Sequence, residues 1–237
     1  MGRATRERER QTRRTAYALT RLTAVPKRDT SYKRLWIDAS PAEQQAEIEY
    51  RAQHSGRDTA VHEAGHAVAA WLQGEKISHV MFNDRGSAHH NAQLDRCVAM
   101  TVTGETLTDD EVKNNKSALQ GTAEGFVQGC KAAFITLAGA LAQGLYLEGD
   151  SPITMRVHGE EAAAKLRFFS GLAEEAVVVE HARILGVVSR TFEHERIRNV
   201  TLSLAAVLYE KRYLSGESVM NAIQAAWGMA MAASAGK

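Results

Sequence analysis

The residues in this chain best suited to chemistry are His62, Glu63 and His66. Histidines four positions apart stand one turn above each other on one face of a helix. Two imidazoles so placed can grip one metal ion, and imidazole nitrogen suits zinc. Glu63 follows His62 directly and points to the flank of that pair, where its carboxylate can reach a water on the metal. Zinc lowers the pKa of such a water to about 7, so a neighbouring carboxylate can take its proton at neutral pH. The hydroxide formed in this way can attack an amide carbonyl that the same ion polarises. The H-E-x-x-H spacing therefore points to metal-assisted hydrolysis, with Zn2+ as cofactor, His62 and His66 as ligands and Glu63 as general base.

That geometry requires a helix, and the surrounding residues predict one. Asp58 suits its start and Gly74 its stop. Val61, Ala67, Val68, Trp71 and Leu72 supply apolar surface, while Ala64 and Gly65 between the histidines allow a second helix to approach closely. Upstream, Ser40-Pro41-Ala42-Glu43 predicts a helix to about Gln53, with Ser40 as cap, Pro41 in the first turn and Glu43 closing a capping box. Downstream, Lys76 to Asn83 and Cys97 to Thr103 read as strands able to pair as a hairpin. A polar loop, Asp84 to Asp95, separates them and carries His89 and His90, read as a solvated tip. Asp109 to Gln120 and Val127 to Leu147 read as helices, and Glu148 to Pro152 as a break. From Gly159 to Tyr213 the pattern predicts two long helices bent near Gly186. A short last helix restarts at Ser215-Gly216-Glu217. The expected fold is mainly α (α+β), a helical domain with a small β-hairpin or sheet beside the zinc-binding helix.

The chain has 237 residues, with 44% hydrophobic and 24% charged, ordinary values for a globular protein with a real core. Its net charge of +1 gives no overall reason to expect a polyanionic partner. The charge is unevenly spread. Residues 1–35 hold eleven basic and three acidic side chains, a net +8 that leaves the remainder near −7. The boundaries read as a basic arm over 1–35, a zinc domain over 36–227 and a flexible small-residue tail over 228–237. The distant Cys97 and Cys130 suggest neither a disulfide framework nor a zinc knuckle. The start lacks the apolar stretch of a signal peptide. Ala132 to Leu147, the most apolar segment, is shorter than the roughly 20 residues a membrane span needs. These features predict a soluble, cytoplasmic protein with no membrane partner.

Thr59-Ala-Val-His-Glu-Ala-Gly-His-Ala-Val-Ala-Ala-Trp71 closely resembles the zinc-binding helix in the peptidase domain of the FtsH-type AAA proteases. That family follows the helix with strands and a later helix bearing L-A-G-x-x-A, which Leu137-Ala138-Gly139-Ala140-Leu141-Ala142 matches. Leu208 to Glu217 is similar to a stretch in the family's C-terminal helices, so the resemblance covers about 58 to 225. The family joins its peptidase domain to a membrane anchor and an ATPase module. This sequence contains no G-x-x-x-x-G-K-[ST] loop, so the resemblance implies a stand-alone peptidase-like domain. The family's third zinc ligand is an aspartate opening a later helix, with a small residue four positions on. The matching region here reads His158-Gly159-Glu160-Glu161-Ala162-Ala163-Ala164. Glutamate can replace aspartate as third ligand. Glu160, with Ala164 four on, is the leading candidate, Glu161 the next and Asp150 a weaker one. His79, His158, His181 and His194 have no partner at ligand spacing, and His158 reads at most as a support beside the third ligand.

The activity so implied is hydrolysis of peptide bonds in unfolded or flexible polypeptides, delivered by a separate ATPase or adaptor where they are folded. Extended peptide would add to the edge of the strand near Lys76 to Asn83. Two rivals belong to other classes. One is a catalytically inactive, zinc-stabilised binding module. The other is a nucleic-acid-associated protein using the arm over 1–35, for which only Tyr17, Tyr32 and Trp36 offer stacking surface.

Overall fold

The structure is a computed structural model and describes residues 36–54, 56–82, 99–103, 119–149 and 151–235. The basic arm, the loop with His89 and His90, Cys97, most of the helix expected over 109–120, and Asp150 lie outside the described residues. Helix α1 (Pro41–His54) opens on the capping box read from the sequence. The Ser40 backbone N–H donates to Glu43 Oε2 at 3.0 Å, and the Glu43 N–H donates to Ser40 Oγ at 3.3 Å. Helix α2 (Arg57–Leu72) carries His62, Glu63 and His66. It starts one residue before Asp58, after Gly56 at φ 83°, a left-handed turn that glycine adopts without a Cβ penalty.

Strand β1 (Ile77–Phe82) pairs antiparallel with β2 (Ala99–Thr103), as the hairpin reading expects. A third strand, β3 (Tyr213–Ser215), pairs antiparallel with the other side of β1, giving the order β2-β1-β3. This corrects the proposed peptide-binding edge. β1 is the central strand with both sides hydrogen-bonded, so an added strand would have to use β2 or β3. Leu208 to Glu217 builds this third strand. Arg212 takes φ 64°, and the chain then runs past β1 so closely that a Cβ on Gly216 would collide with the Ile77 carbonyl.

Helix α3 (Ala123–Tyr146) is the central helix, with Leu137, Leu141 and Leu145 fully buried. Burial of each such side chain contributes about 1.5–3 kcal/mol. At 24 residues it is long and apolar enough to cross a membrane by length and composition, longer than the segment judged from sequence. Yet 61% of its most apolar window is buried against the rest of the protein, as in a core helix.

The region expected to form two bent helices contains α4 (Pro152–Ser170), α5 (Glu174–Glu193) and α6 (Glu195–Lys211). The breaks fall at Gly171, which takes φ 65°, and at His194, while α5 runs unbroken through Gly186. Helix α7 (Gly216–Ala235) is longer than expected and takes in most of the tail foreseen from Gly228, consistent with its alanine content. α2 packs between α3 and α6, and α3 packs in turn against α4 and α5. One core cluster joins these helices to Ile77 and Val80 of β1. A second, smaller cluster seats Trp36 and Ala39 on Ile153 and Val157 of α4.

Candidate metal centre

α2 and α3 cross at their smallest residues. A Cβ added to Gly65 would lie 2.8 Å from the Ala138 carbonyl oxygen and from Ala142 Cβ. A Cβ on Gly139 would collide with the His66 ring. Leu137 to Ala142 therefore acts through what it lacks: small residues let α3 approach α2 and leave room for an imidazole.

His62, His66 and His158 lie close enough to hold a metal ion, their ligand atoms all within 4.8 Å of one another. His62 Nε2 is 2.9 Å from both His66 Nε2 and His158 Nε2. The outer nitrogen of each ring faces an oxygen. His62 Nδ1 donates to Gln143 Oε1 at 2.8 Å, His66 Nδ1 to the Ile135 carbonyl at 2.7 Å, and His158 Nδ1 to the Thr154 carbonyl at 3.1 Å. A carbonyl only accepts, so it fixes the proton on Nδ1. Three neutral rings in that tautomer turn bare Nε2 lone pairs toward one another. Such crowding is unfavourable unless a cation sits among them, and three such nitrogens are a donor set able to hold a metal ion.

Electrostatics favour the neutral form of the His66 and His158 rings. Burial, and next the charge of His62, hold His66 well below the usual histidine range. Burial, followed by the charge of His66, pushes His158 down to about 3. Lys165, two turns beyond His158 on α4, adds to both shifts. Neutral imidazole is the form that binds metal.

The third member is thus His158, and neither Glu160 nor Glu161 stands in the group. The physical reason is helix phase. Pro152 opens α4, so His158 to Glu161 lies well inside the helix and does not form its first turn. Residues two apart on a helix face opposite ways. Glu160 accordingly turns from His158 toward Arg156 and Asp38 and is buried with Oε2 unpartnered. Burial, reinforced by Asp38 and opposed by Arg156, raises its carboxyl to about 7. Glu161 flanks the histidine face, where burial raises its pKa and the charge of Lys165 opposes the rise.

Two sequence features that the reading above did not use bear on His158. Ser151-Pro152 repeats the Ser40-Pro41 signature that opens α1, and Ala162 is the small residue four positions after His158. Gln143, which orients His62, carried no sequence signal beyond being a polar residue in an apolar helix. Glu63 is buried at 7% exposure, as is His62, while His66 and His158 are half-buried and form the more open side. Cavities of about 360, 350 and 510 Å³ lie elsewhere, lined respectively by Cys130 and Arg183, by Arg196 and Trp227, and by Val61 and Tyr209 among others. A scan against protein-family models finds no match, and neither does a search of curated proteins.

Proposed function

We propose that this chain is a zinc metallopeptidase acting on unfolded or flexible polypeptides, built like the peptidase domain of the FtsH-type proteases. The observation that carries the reading is the convergence of three Nε2 atoms, two from the H-E-x-x-H helix, with every Nδ1 engaged by an oxygen. His62, His66 and His158 would hold the ion. Zinc, when bound, would supply the Lewis acid that polarises the amide carbonyl and acidifies water. Glu63 takes the proton of the attacking water and delivers it to the leaving amine. Folded substrates would need a separate ATPase or adaptor to present them.

The purified protein should hold about one zinc per chain, and His62→Ala, His66→Ala or His158→Ala should each remove it. Short unstructured peptides should be cleaved, and a chelator should stop the cleavage. Stoichiometric zinc in all three variants would sink the reading. The burial of Glu63 favours one rival, a metal-stabilised binding module without catalysis. Zinc-loaded protein that cleaves no unstructured peptide would establish that rival.

A further inference from the structure

Glu47 of α1 lies outside the stretch that resembles a known family, and it is completely buried. A buried carboxylate is costly unless hydrogen bonds compensate it. Here the donors come from the first turn of α4. Ser151 Oγ donates to Glu47 at 3.0 Å, the Ile153 backbone N–H to Oε2 at 3.2 Å, and Thr154 Oγ1 to Oε1 at 2.7 Å. Glu47 thus does what an N-cap does, but from 104 or more residues away. It satisfies donors that α4 leaves open at its start and sets a negative charge at the positive end of the helix. Ser151, the residue at the cap position, makes no side-chain capping bond of its own.

The same turn reaches the metal centre. Thr154, whose hydroxyl binds Glu47, presents its carbonyl to His158 Nδ1 one turn on. α1 also braces the other arm of the α3–α4 turn. Tyr50 Oη donates to the Gln143 carbonyl at 3.5 Å, and His54 Nε2 donates to the Glu148 carbonyl at 2.6 Å. Gln143 is the residue that orients His62. Trp36 and Ala39, just before α1, pack on Ile153 and Val157, the latter adjacent to His158. The segment 36–54 therefore spans the turn that brings α3 and α4 together.

We propose that Glu47 is a positioning residue of the metal centre. By fixing the first turn of α4 it sets the rotation and depth at which His158 meets the His62–His66 pair. This rests on the metal-centre reading above. Groups that orient metal ligands typically contribute about 10- to 100-fold in metal affinity.

The test uses the full chain and cobalt(II) alone as probe. Glu47→Ala should bind cobalt about 10- to 100-fold more weakly. Its visible absorption should also lose intensity, as a compact three-histidine site loosens toward higher coordination. Both should be measured well below the melting temperature, where a loss of stability alone would leave the spectrum unchanged. Glu47→Gln, which retains one accepting oxygen, should fall between Glu47→Ala and wild type. Wild-type affinity and spectrum in Glu47→Ala would overturn the proposal. Should that variant fail to fold, Thr154→Val removes only the hydroxyl bonded to Glu47 and keeps the carbonyl that meets His158. A smaller shift in the same direction supports the proposal, and none overturns it. His158→Ala separates the two readings. Cobalt binding unchanged there sinks the metal centre itself, whereas binding lost there but kept in the Glu47 variants sinks only the role of Glu47.

Discussion

Helices α2 and α4 bring their histidines into the same space and are held there by different balances of packing and hydrogen bonding. From Ala60 to Ala70 α2 is buried at every position except His66, which is half-buried. Its two histidines are registered by a one-turn spacing and by apolar contact on both sides. α4 shows a face to solvent, with Lys165 and Phe168 exposed. Its histidine meets the Thr154 carbonyl behind the ring, and the Glu47 carboxylate binds the helix start. A site held by packing is sensitive to added volume, because native cores leave no spare room. A site held by hydrogen bonds is sensitive to a missing partner, because the group left behind stays buried and unsatisfied. The centre combines both, so its halves should fail in different ways.

The largest expected effect lies on α2 and leaves the ligands alone. Glu63→Gln keeps shape and hydrogen bonding but cannot accept a proton, so peptide cleavage should fall about 100- to 10,000-fold. Zinc content and melting temperature should stay at wild type. Loss of zinc in this variant would move Glu63 into the group that holds the ion.

The next effect tests the packed half. Gly139→Ala drives a methyl group into the His66 ring and should displace that ligand, lowering zinc affinity. Gly65→Ala forces α2 and α3 apart and should cost about 1–3 kcal/mol in denaturant unfolding. Unchanged values for both would mean that the crossing is looser than these contacts imply.

Hydrogen bonding also reaches the packed half, through Gln143. Gln143→Leu removes the acceptor that orients His62 and should weaken zinc binding about 10- to 100-fold. Helix content by circular dichroism should remain at wild type. A wild-type zinc affinity would show that packing alone orients His62.

The smallest effect concerns Glu160, which faces away from the ligands. Its carboxyl is raised from 4.5 to about 7, chiefly by burial, so the fold favours the protonated form. Stability from this group is present below about pH 4.5 and lost as pH rises through 7. Glu160→Gln imitates the neutral acid. It should raise the melting temperature at pH 8, leave it nearly unchanged at pH 4, and leave zinc content at wild type. Zinc loss in this variant would restore Glu160 as a ligand.

Several features were legible from local spacing because their causes are local. The face shared by His62 and His66 needs only helical periodicity. The capping box at Ser40 and Glu43 closes within three residues, and the β1–β2 pairing follows from two apolar, β-branched runs. Two acidic residues were taken to open a helix that in fact begins at Pro152, and the residue gathered with His62 and His66 is His158. With that start, Glu160 falls on the opposite face from His158.

The sequence by itself determined which residues on α2 can bind a metal and accept a proton, since four-residue spacing on a helix leaves them one geometry. Only the tertiary structure decided what completes the centre. His158 is 96 residues from His62, Gln143 is 81, and the strand that seals the outer side of β1 comes from beyond Arg212. No periodicity reaches over such distances. These residues meet because glycine and alanine let α3 close on α2 and a buried carboxylate from α1 fixes the start of α4.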